Sequence, residues 1–147
     1  MAWGPLALRV LAAVHAAAAL SITVFPLWIY GGDYRNAAPW ISRIQPIPLF
    51  MADVSMIPNV IMFVPLGFLL PLLSPGLTRG RVALCALAGL GIEITQLLQY
   101  IALGNGRSVD VNDLIAGTLG GLIGCATRRA TAARAVLDRL SATHGGA

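Results

Sequence analysis

Four long apolar runs, separated by short polar or basic connections, dominate the pattern of residues along the chain. A membrane-spanning helix needs about 20 mostly apolar residues. The predicted spans are residues 9–30, 57–73, 82–103 and 111–127. Apolar residues surround nearly the whole circumference of each predicted helix, whereas a helix of a soluble domain carries one apolar stripe. The pattern therefore predicts an all-α membrane protein, a compact four-helix transmembrane bundle.

The first run has two interpretations, a cleaved signal peptide and an uncleaved anchor. Small residues at 17–19 would suit a cleavage site. The apolar run continues past them through Ile22 and Phe25 to Ile29, which exceeds the usual core of about 7–15 residues in a signal peptide. We therefore expect an anchor, with Trp28 and Tyr30 at one membrane interface.

Composition and charge support a membrane protein and orient it. The chain is 57% hydrophobic and 11% charged, whereas soluble domains are about 25% charged. All ten basic residues are arginines that lie between apolar runs, so we expect a lipid bilayer and no nucleic acid as partner. The positive-inside rule places both termini in the cytoplasm. The predicted inner arginines are Arg9, Arg79, Arg81, Arg128, Arg129, Arg134 and Arg139, and the outer ones are Arg35, Arg43 and Arg107.

Two long segments lie outside the predicted spans. Residues 31–56 are rich in proline and aromatic residues, and they form a long external loop that lies on the outer leaflet or re-enters it. Residues 128–147 form a basic cytoplasmic tail after a transmembrane domain of residues 1–127. Val136, Leu137 and Leu140 have helical spacing among arginines. This spacing predicts a short amphipathic helix on the anionic inner surface.

Glu93 lies inside the third predicted span, about 16 Å from its inner end at about 1.5 Å per residue. An ionised carboxylate at this depth costs at least about 2.5–3.5 kcal/mol, and such residues are usually functional. We expect Glu93 to face the bundle or a water-filled cavity. The alternative is a protonated, purely structural Glu93 that is hydrogen-bonded to Gln96 or Asn59.

Polar residues are densest at the start of the fourth predicted span, in residues 106–114. Asp110 and Asp113 lie one turn apart, and Ser108 or Asp110 is expected to cap the helix, whose positive end suits acidic groups. Together with Glu93, both aspartates could provide oxygen ligands for a divalent cation. Arg107 has two possible roles, neutralising an aspartate or binding the phosphate of a lipid headgroup.

Glycines follow these aspartates along the fourth span. Gly117/Gly121 and Gly120/Gly124 are both GxxxG pairs, which allow helices to approach closely. They predict a packing face within the bundle, and an oligomer through the same face is a further possibility. In the predicted orientation a polar, outward-facing site is expected in the outer half of the bundle. Its members are Asn59, Glu93, Gln96, Arg107, Asp110, Asn112 and Asp113.

Three sequence blocks, taken in order, resemble the VanZ-like family of bacterial membrane proteins. They are NVIMFVPLGFLLP at 59–71, GIEITQ at 91–96 and GRSVDVNDLIAGTLGG at 106–121. The resemblance covers most of the chain. It implies a bacterial plasma-membrane protein associated with the cell envelope and with glycopeptide resistance, especially resistance to teicoplanin.

Three hypotheses for function remain open. In the first, the site binds or modifies an envelope component such as a lipid-linked precursor. Glu93, Asp110 and Asp113 then hold a cation or act as acid/base groups in hydrolysis or transfer at a lipid-linked headgroup. The headgroup would be bound by Asn59, Gln96, Arg107 and Asn112. In the second, the chain is a partner subunit or a small oligomeric transporter in which Glu93 carries protons. The third is a purely structural bundle.

Overall fold

A computed structural model describes residues 3–49, 56–74 and 80–144 of the chain. It contains four α-helices, which are α1 (Trp3–Thr23), α2 (Met56–Leu73), α3 (Arg81–Leu103) and α4 (Val111–His144). Two short 3-10 helices lie between α1 and α2, at Gly32–Tyr34 and Trp40–Arg43. Strand β1 (Ile44–Gln45) pairs in parallel with β2 (Val109–Asp110). Over the described residues the fold is therefore all-α, with one very short strand pair.

Helix α1 ends well before Tyr30, where the sequence predicts the end of the first span. Its last turn closes on Thr23, whose Oγ1 donates to Ala19 O at 2.8 Å. Pro26 follows shortly afterwards and provides no backbone N–H to continue the helix. The helical part of the first apolar run therefore starts earlier and ends earlier than predicted, and residues 24–30 leave the helix.

Helices α2 and α4 pack most extensively against each other, and α3 packs against α4. A Cβ added at Gly120 would collide with Val60 O, and one added at Gly124 would collide with Val64 O, both in α2. A Cβ at Gly121 would lie 2.5 Å from Cys85 Sγ in α3, and one at Gly117 would lie 3.1 Å from the Phe63 ring.

The GxxxG face is therefore covered by helices of the same chain. This finding removes the structural basis for an oligomer through these glycines, since α2 occupies the surface that a second copy would need.

Helix α4 continues without a break past Thr127 to His144. The predicted separate amphipathic helix is therefore wrong, because the tail belongs to the same helix as the fourth apolar run. Its alanines and arginines are strong helix formers, and neither glycine nor proline occurs between Gly124 and Gly145. The side chain of Leu140, one of the predicted apolar positions, lies outside the described residues.

Among the described residues, three helices are long and apolar enough to cross a membrane, Gly4–Thr23, Met56–Leu73 and Arg81–Leu103. They leave large apolar side chains exposed, including Leu11, Ile61 and Leu87 at 56%, 64% and 61%. A helix face of this kind suits lipid. Helix α4 does not meet the same criterion of length and hydropathy. The predicted inner arginine Arg79 lies outside the described residues.

Residues 24–49 turn back over the ends of α3 and α4, and we refer to them as the return segment. Tyr30 N–H donates to Leu103 O at 2.9 Å, and Asn36 N–H donates to Gly104 O at 3.1 Å. Gly104 ends α3 with φ of 66°, a left-handed conformation that favours glycine. The described part of the predicted external loop therefore contacts the end of α3 and the segment before α4, and residues 50–55 lie outside the described residues.

Candidate functional site

A buried carboxylate lies where α3 meets the start of α4. Glu93 is 5% exposed, and its Oε2 accepts a hydrogen bond from Asp110 N–H at 3.0 Å. Asp110 directly precedes α4, and its Oδ1 accepts from Asn112 N–H at 2.8 Å. This is the usual geometry of a helix N-cap. Asp110 thus caps α4 through its side chain and holds the Glu93 carboxylate in place through its backbone N–H.

The return segment completes this site from the opposite side. Gln45 pairs with Asp110, and Ile44 pairs with Val109, in the parallel strand register. Leu49 N–H donates to Asn112 Oδ1 at 2.7 Å, and Asn112 is only 1% exposed. These contacts attach both strand and loop backbone to the first turn of α4.

A cavity of about 260 Å³ lies between these elements. Three polar residues line it, namely Gln45, Glu93 and Asp110. Its remaining lining is apolar and comprises Ile44, Pro46, Leu90, Val109, Val111 and Leu114. A few convergent polar groups in an otherwise apolar pocket are typical of small-molecule sites.

A second polar cluster fastens α1 and the loop after α3. Gln96 Nε2 donates to Thr23 O at 3.3 Å, and Gln99 Nε2 donates to Val24 O at 3.0 Å. Asn105 Nδ2 lies 3.4 Å from Gln99 Oε1 in a buried setting. Since these amides bond to the chain itself, the cluster has a structural role, and Gln96 belongs to it rather than to the cavity.

Aromatic and basic side chains hold the return segment at the end of α3. The Tyr100 hydroxyl donates to Ala38 O at 2.5 Å. The Arg43 guanidinium lies over the Tyr100 ring, 5.1 Å from its centre, which is a cation–π distance. Arg35 Nη2 donates to Ile101 O at 2.9 Å. Arg35 thus caps the carbonyl end of α3, where positive charge is favourable, and Arg43 lies on the ring of a residue in the last turn.

The structure brings together only part of the predicted site. Glu93 and Asp110 meet at the cavity, with Asn112 directly behind them. Asn59 lines a different cavity of about 510 Å³ between α1 and α2. Arg107 is half-buried outside the cavity, and its backbone N–H donates to Asn105 Oδ1 at 3.1 Å. The expected convergence of all these residues on one region is therefore not observed.

Asp113 is half-buried in the first turn of α4 and does not line the cavity. Within the described ranges, no group of three or more His, Cys, Asp or Glu side chains is arranged to hold a metal ion. The divalent-cation hypothesis for Glu93, Asp110 and Asp113 consequently receives no support from the geometry.

Three buried or half-buried amides were not predicted as part of this region, Gln45, Gln99 and Asn105. Gln99 follows Gln96 at nearly one turn and Asn105 follows the glycine that ends α3, so helical spacing could have signalled these two. No local signal identifies Gln45, because its position depends on strand pairing with a segment that lies far along the chain.

Comparison with known proteins assigns the chain to a family. A family model described as VanZ/LLP1 matches residues 12–130, which run from within α1 into the second half of α4. No protein with a curated description and no solved structure matches the chain. The match includes every residue of the cavity and confirms the resemblance of the three sequence blocks. The chain therefore belongs to the VanZ/LLP1 family and is a VanZ-like membrane protein.

Proposed function

We propose that this protein acts at the outer face of a bacterial plasma membrane and contributes to glycopeptide resistance, especially to teicoplanin. In this proposal, the cavity beside Glu93 holds part of an envelope lipid or of another phosphate-bearing ligand. The observation that carries the proposal is the meeting of buried Glu93 with Asp110 at a cavity completed by the return segment. Intramembrane carboxylates that line cavities are functional by default.

The size and charge of the site restrict its ligand. The cavity of about 260 Å³ is below the range of about 300–1,000 Å³ that drug-sized ligands need. A whole glycopeptide antibiotic therefore does not fit, which favours a small part of an envelope molecule over capture of the drug. Two carboxylates repel a phosphate, so Arg107, outside the cavity, is the better candidate to bind it. For hydrolysis or transfer at a lipid-linked headgroup, Glu93 and Asp110 are the acid/base candidates.

Antibiotic susceptibility of a sensitive bacterial host tests this proposal. We expect wild type to protect against teicoplanin and the Glu93→Gln and Asp110→Asn variants to give the susceptibility of the host alone. Both changes remove an ionisable carboxyl group but keep an oxygen that accepts the observed hydrogen bond, and asparagine is a good N-cap. Arg107→Ala is also expected to fail, although its structural hydrogen bond comes from the backbone and is retained.

Membrane abundance must be matched, and an unrelated envelope drug provides the specificity control. Protection that survives both Glu93→Gln and Asp110→Asn would contradict the proposed site. Loss in Glu93→Gln with tolerance of Asp110→Asn would indicate proton-linked transport instead. A fall in abundance alone, with function per molecule unchanged, would indicate a structural bundle.

A reporter fused after Ala147 tests the orientation on which an outward-facing site depends. Four spans with an inner N-terminus place the C-terminus in the cytoplasm, whereas three spans would place it outside. We therefore expect a C-terminal green fluorescent protein to fluoresce and a C-terminal alkaline phosphatase to be inactive. The opposite result would show that α4 does not cross the bilayer. An alkaline phosphatase inserted after Gly31, on the return segment, is the matched control and should be active.

A further inference from the structure

The return segment directs its polar contacts inward and leaves its large apolar side chains exposed. Tyr30 N–H, Asn36 N–H and the Arg35 guanidinium all donate to carbonyl groups at the end of α3. Six large apolar side chains of the segment are at least half exposed, namely Phe25, Trp28, Ile29, Tyr34, Trp40 and Ile41. Exposed apolar side chains in this number mark contact with a membrane or with another protein.

The backbone of residues 27–29 adds a second requirement. None of its three N–H groups forms a hydrogen bond with any part of the chain that the structure describes. In the same stretch, the side chains of Trp28 and Ile29 are 62% and 78% exposed. Water would pair with the N–H groups but would leave these side chains unburied, whereas hydrocarbon would bury the side chains but leave the N–H groups unpaired. The stretch therefore needs apolar surroundings that also supply hydrogen-bond acceptors.

The attachment of the segment to α3 places it at the depth of a membrane interface. Tyr30 and Asn36 bond to the end of α3, whose 23 residues span about 35 Å at about 1.5 Å per residue. This length is close to the hydrocarbon core of about 30 Å, so the end of α3 lies at the boundary between hydrocarbon and headgroups when the helix crosses a bilayer. That boundary layer combines acyl carbons with acceptors from water, ester and phosphate groups.

Tryptophan and tyrosine side chains are concentrated in the same segment. The whole chain has three tryptophans and three tyrosines. Four of these six are exposed in the segment, namely Trp28, Tyr30, Tyr34 and Trp40. Both residue types are enriched at membrane interfaces, because each ring is apolar and carries one polar group. Asp33 and Arg35 lie among them, and their charges oppose deeper insertion into hydrocarbon.

We propose that the return segment binds the interfacial layer of the outer leaflet, with its aromatic side chains between lipid headgroups and its backbone outside the hydrocarbon core. The outer leaflet follows from the proposed orientation. Headgroup oxygens and their water accept from the unpaired N–H groups of residues 27–29, while Trp28 and Ile29 contact the upper acyl carbons. The inference goes beyond the proposed function, because it requires no ligand in the cavity beside Glu93.

Tryptophan fluorescence of the full chain in phosphatidylcholine vesicles tests the inference. Trp3→Phe combined with Trp40→Phe leaves Trp28 as the sole tryptophan, and Trp3→Phe combined with Trp28→Phe leaves Trp40. The quenchers are lipids brominated near the ester end of the acyl chain, lipids brominated near its methyl end, and iodide in the water. The matched control carries Ile94→Trp with all three natural tryptophans changed to phenylalanine, since Ile94 is half exposed near the middle of α3.

We expect the ester-end bromines to quench Trp28 and Trp40 about twice as strongly as the methyl-end bromines, because the rings lie at the interface. Iodide should quench both tryptophans several-fold less than it quenches N-acetyltryptophanamide in solution. The Ile94→Trp control should show the opposite order of the two brominated lipids and the weakest quenching by iodide.

Iodide quenching as strong as that of N-acetyltryptophanamide would overturn the inference and would indicate a surface that is free for a protein partner. Stronger quenching by the methyl-end bromines would also overturn it, because the segment would then re-enter the hydrocarbon core. Trp3→Phe alone leaves the return segment unchanged and must give the same order of quenchers, so the result does not depend on whether the double variants fold. The proposed function fails separately, in the susceptibility assay.

Discussion

Gly124→Ala is expected to lower the free energy of unfolding by at least about 2–3 kcal/mol, because the new methyl group has no space. A Cβ at this position would collide with Val64 O and would lie 2.7 Å from Phe68 N. Both are backbone atoms of α2, so no side chain can rotate away and the two helices would have to separate. Chemical unfolding of the purified protein in detergent, followed by circular dichroism, measures the loss.

Gly91→Ala is the matched control for this change. Gly91 also lies inside a long apolar helix, but a Cβ there would meet no other atom within 4 Å. The alanine should leave stability unchanged or raise it by up to about 1 kcal/mol through its better helix propensity. Similar stabilities for the two variants would show that α2 and α4 do not pack in the close geometry described.

Asn112→Leu is expected to release the return segment from α4. The substitution keeps a buried side chain of similar size but removes the Oδ1 that accepts from Leu49 N–H at 2.7 Å. An unpaired buried N–H costs about 1–3 kcal/mol, enough to raise the open population of the segment about tenfold or more. Hydrogen exchange measured by mass spectrometry should therefore accelerate in peptides that contain Leu49.

Two comparisons restrict the interpretation of this result. Ser42→Ala changes an exposed hydroxyl on the same segment that donates to the nearby Pro39 O, so exchange at Leu49 should remain slow. Peptides from the middle of α2 report on global unfolding and should not change in Asn112→Leu. Unchanged exchange at Leu49 in a folded Asn112→Leu protein would contradict the role assigned to this hydrogen bond.

The site residues that could be predicted from the sequence are those that lie close together along the chain. The cost of a carboxylate in an apolar run identified Glu93, and capping chemistry gave Ser108 and Asp110 as the alternatives at the start of α4. Glu93 and Asp110 meet because a short loop joins α3 to α4. Gln45 was not predictable, because its place depends on pairing between two-residue strands that carry no periodic signal.

The helix boundaries were also predicted with uneven accuracy. Predicted boundaries for α2 and α3 agree with the structure within one residue. The first run was predicted too long, since hydropathy continues to Tyr30 whereas the last backbone hydrogen bonds of the helix come from Val24 and Phe25, which both donate to Leu20 O. The tail was predicted as a separate helix because its composition changes at Arg128, but helix propensity does not change there.

Helix α4 is a single unbroken helix, so its two ends are rigidly connected. Its 34 residues give about 50 Å at about 1.5 Å per residue, which exceeds the hydrocarbon core of about 30 Å. Asp110 is joined to one end of this rod, and the basic residues Arg134 and Arg139 lie near the other. Between these two ends, Gly120 and Gly124 are in close contact with the backbone of α2. A tilt of α4 about this contact would therefore move Asp110 at the cavity in the direction opposite to Arg134 and Arg139.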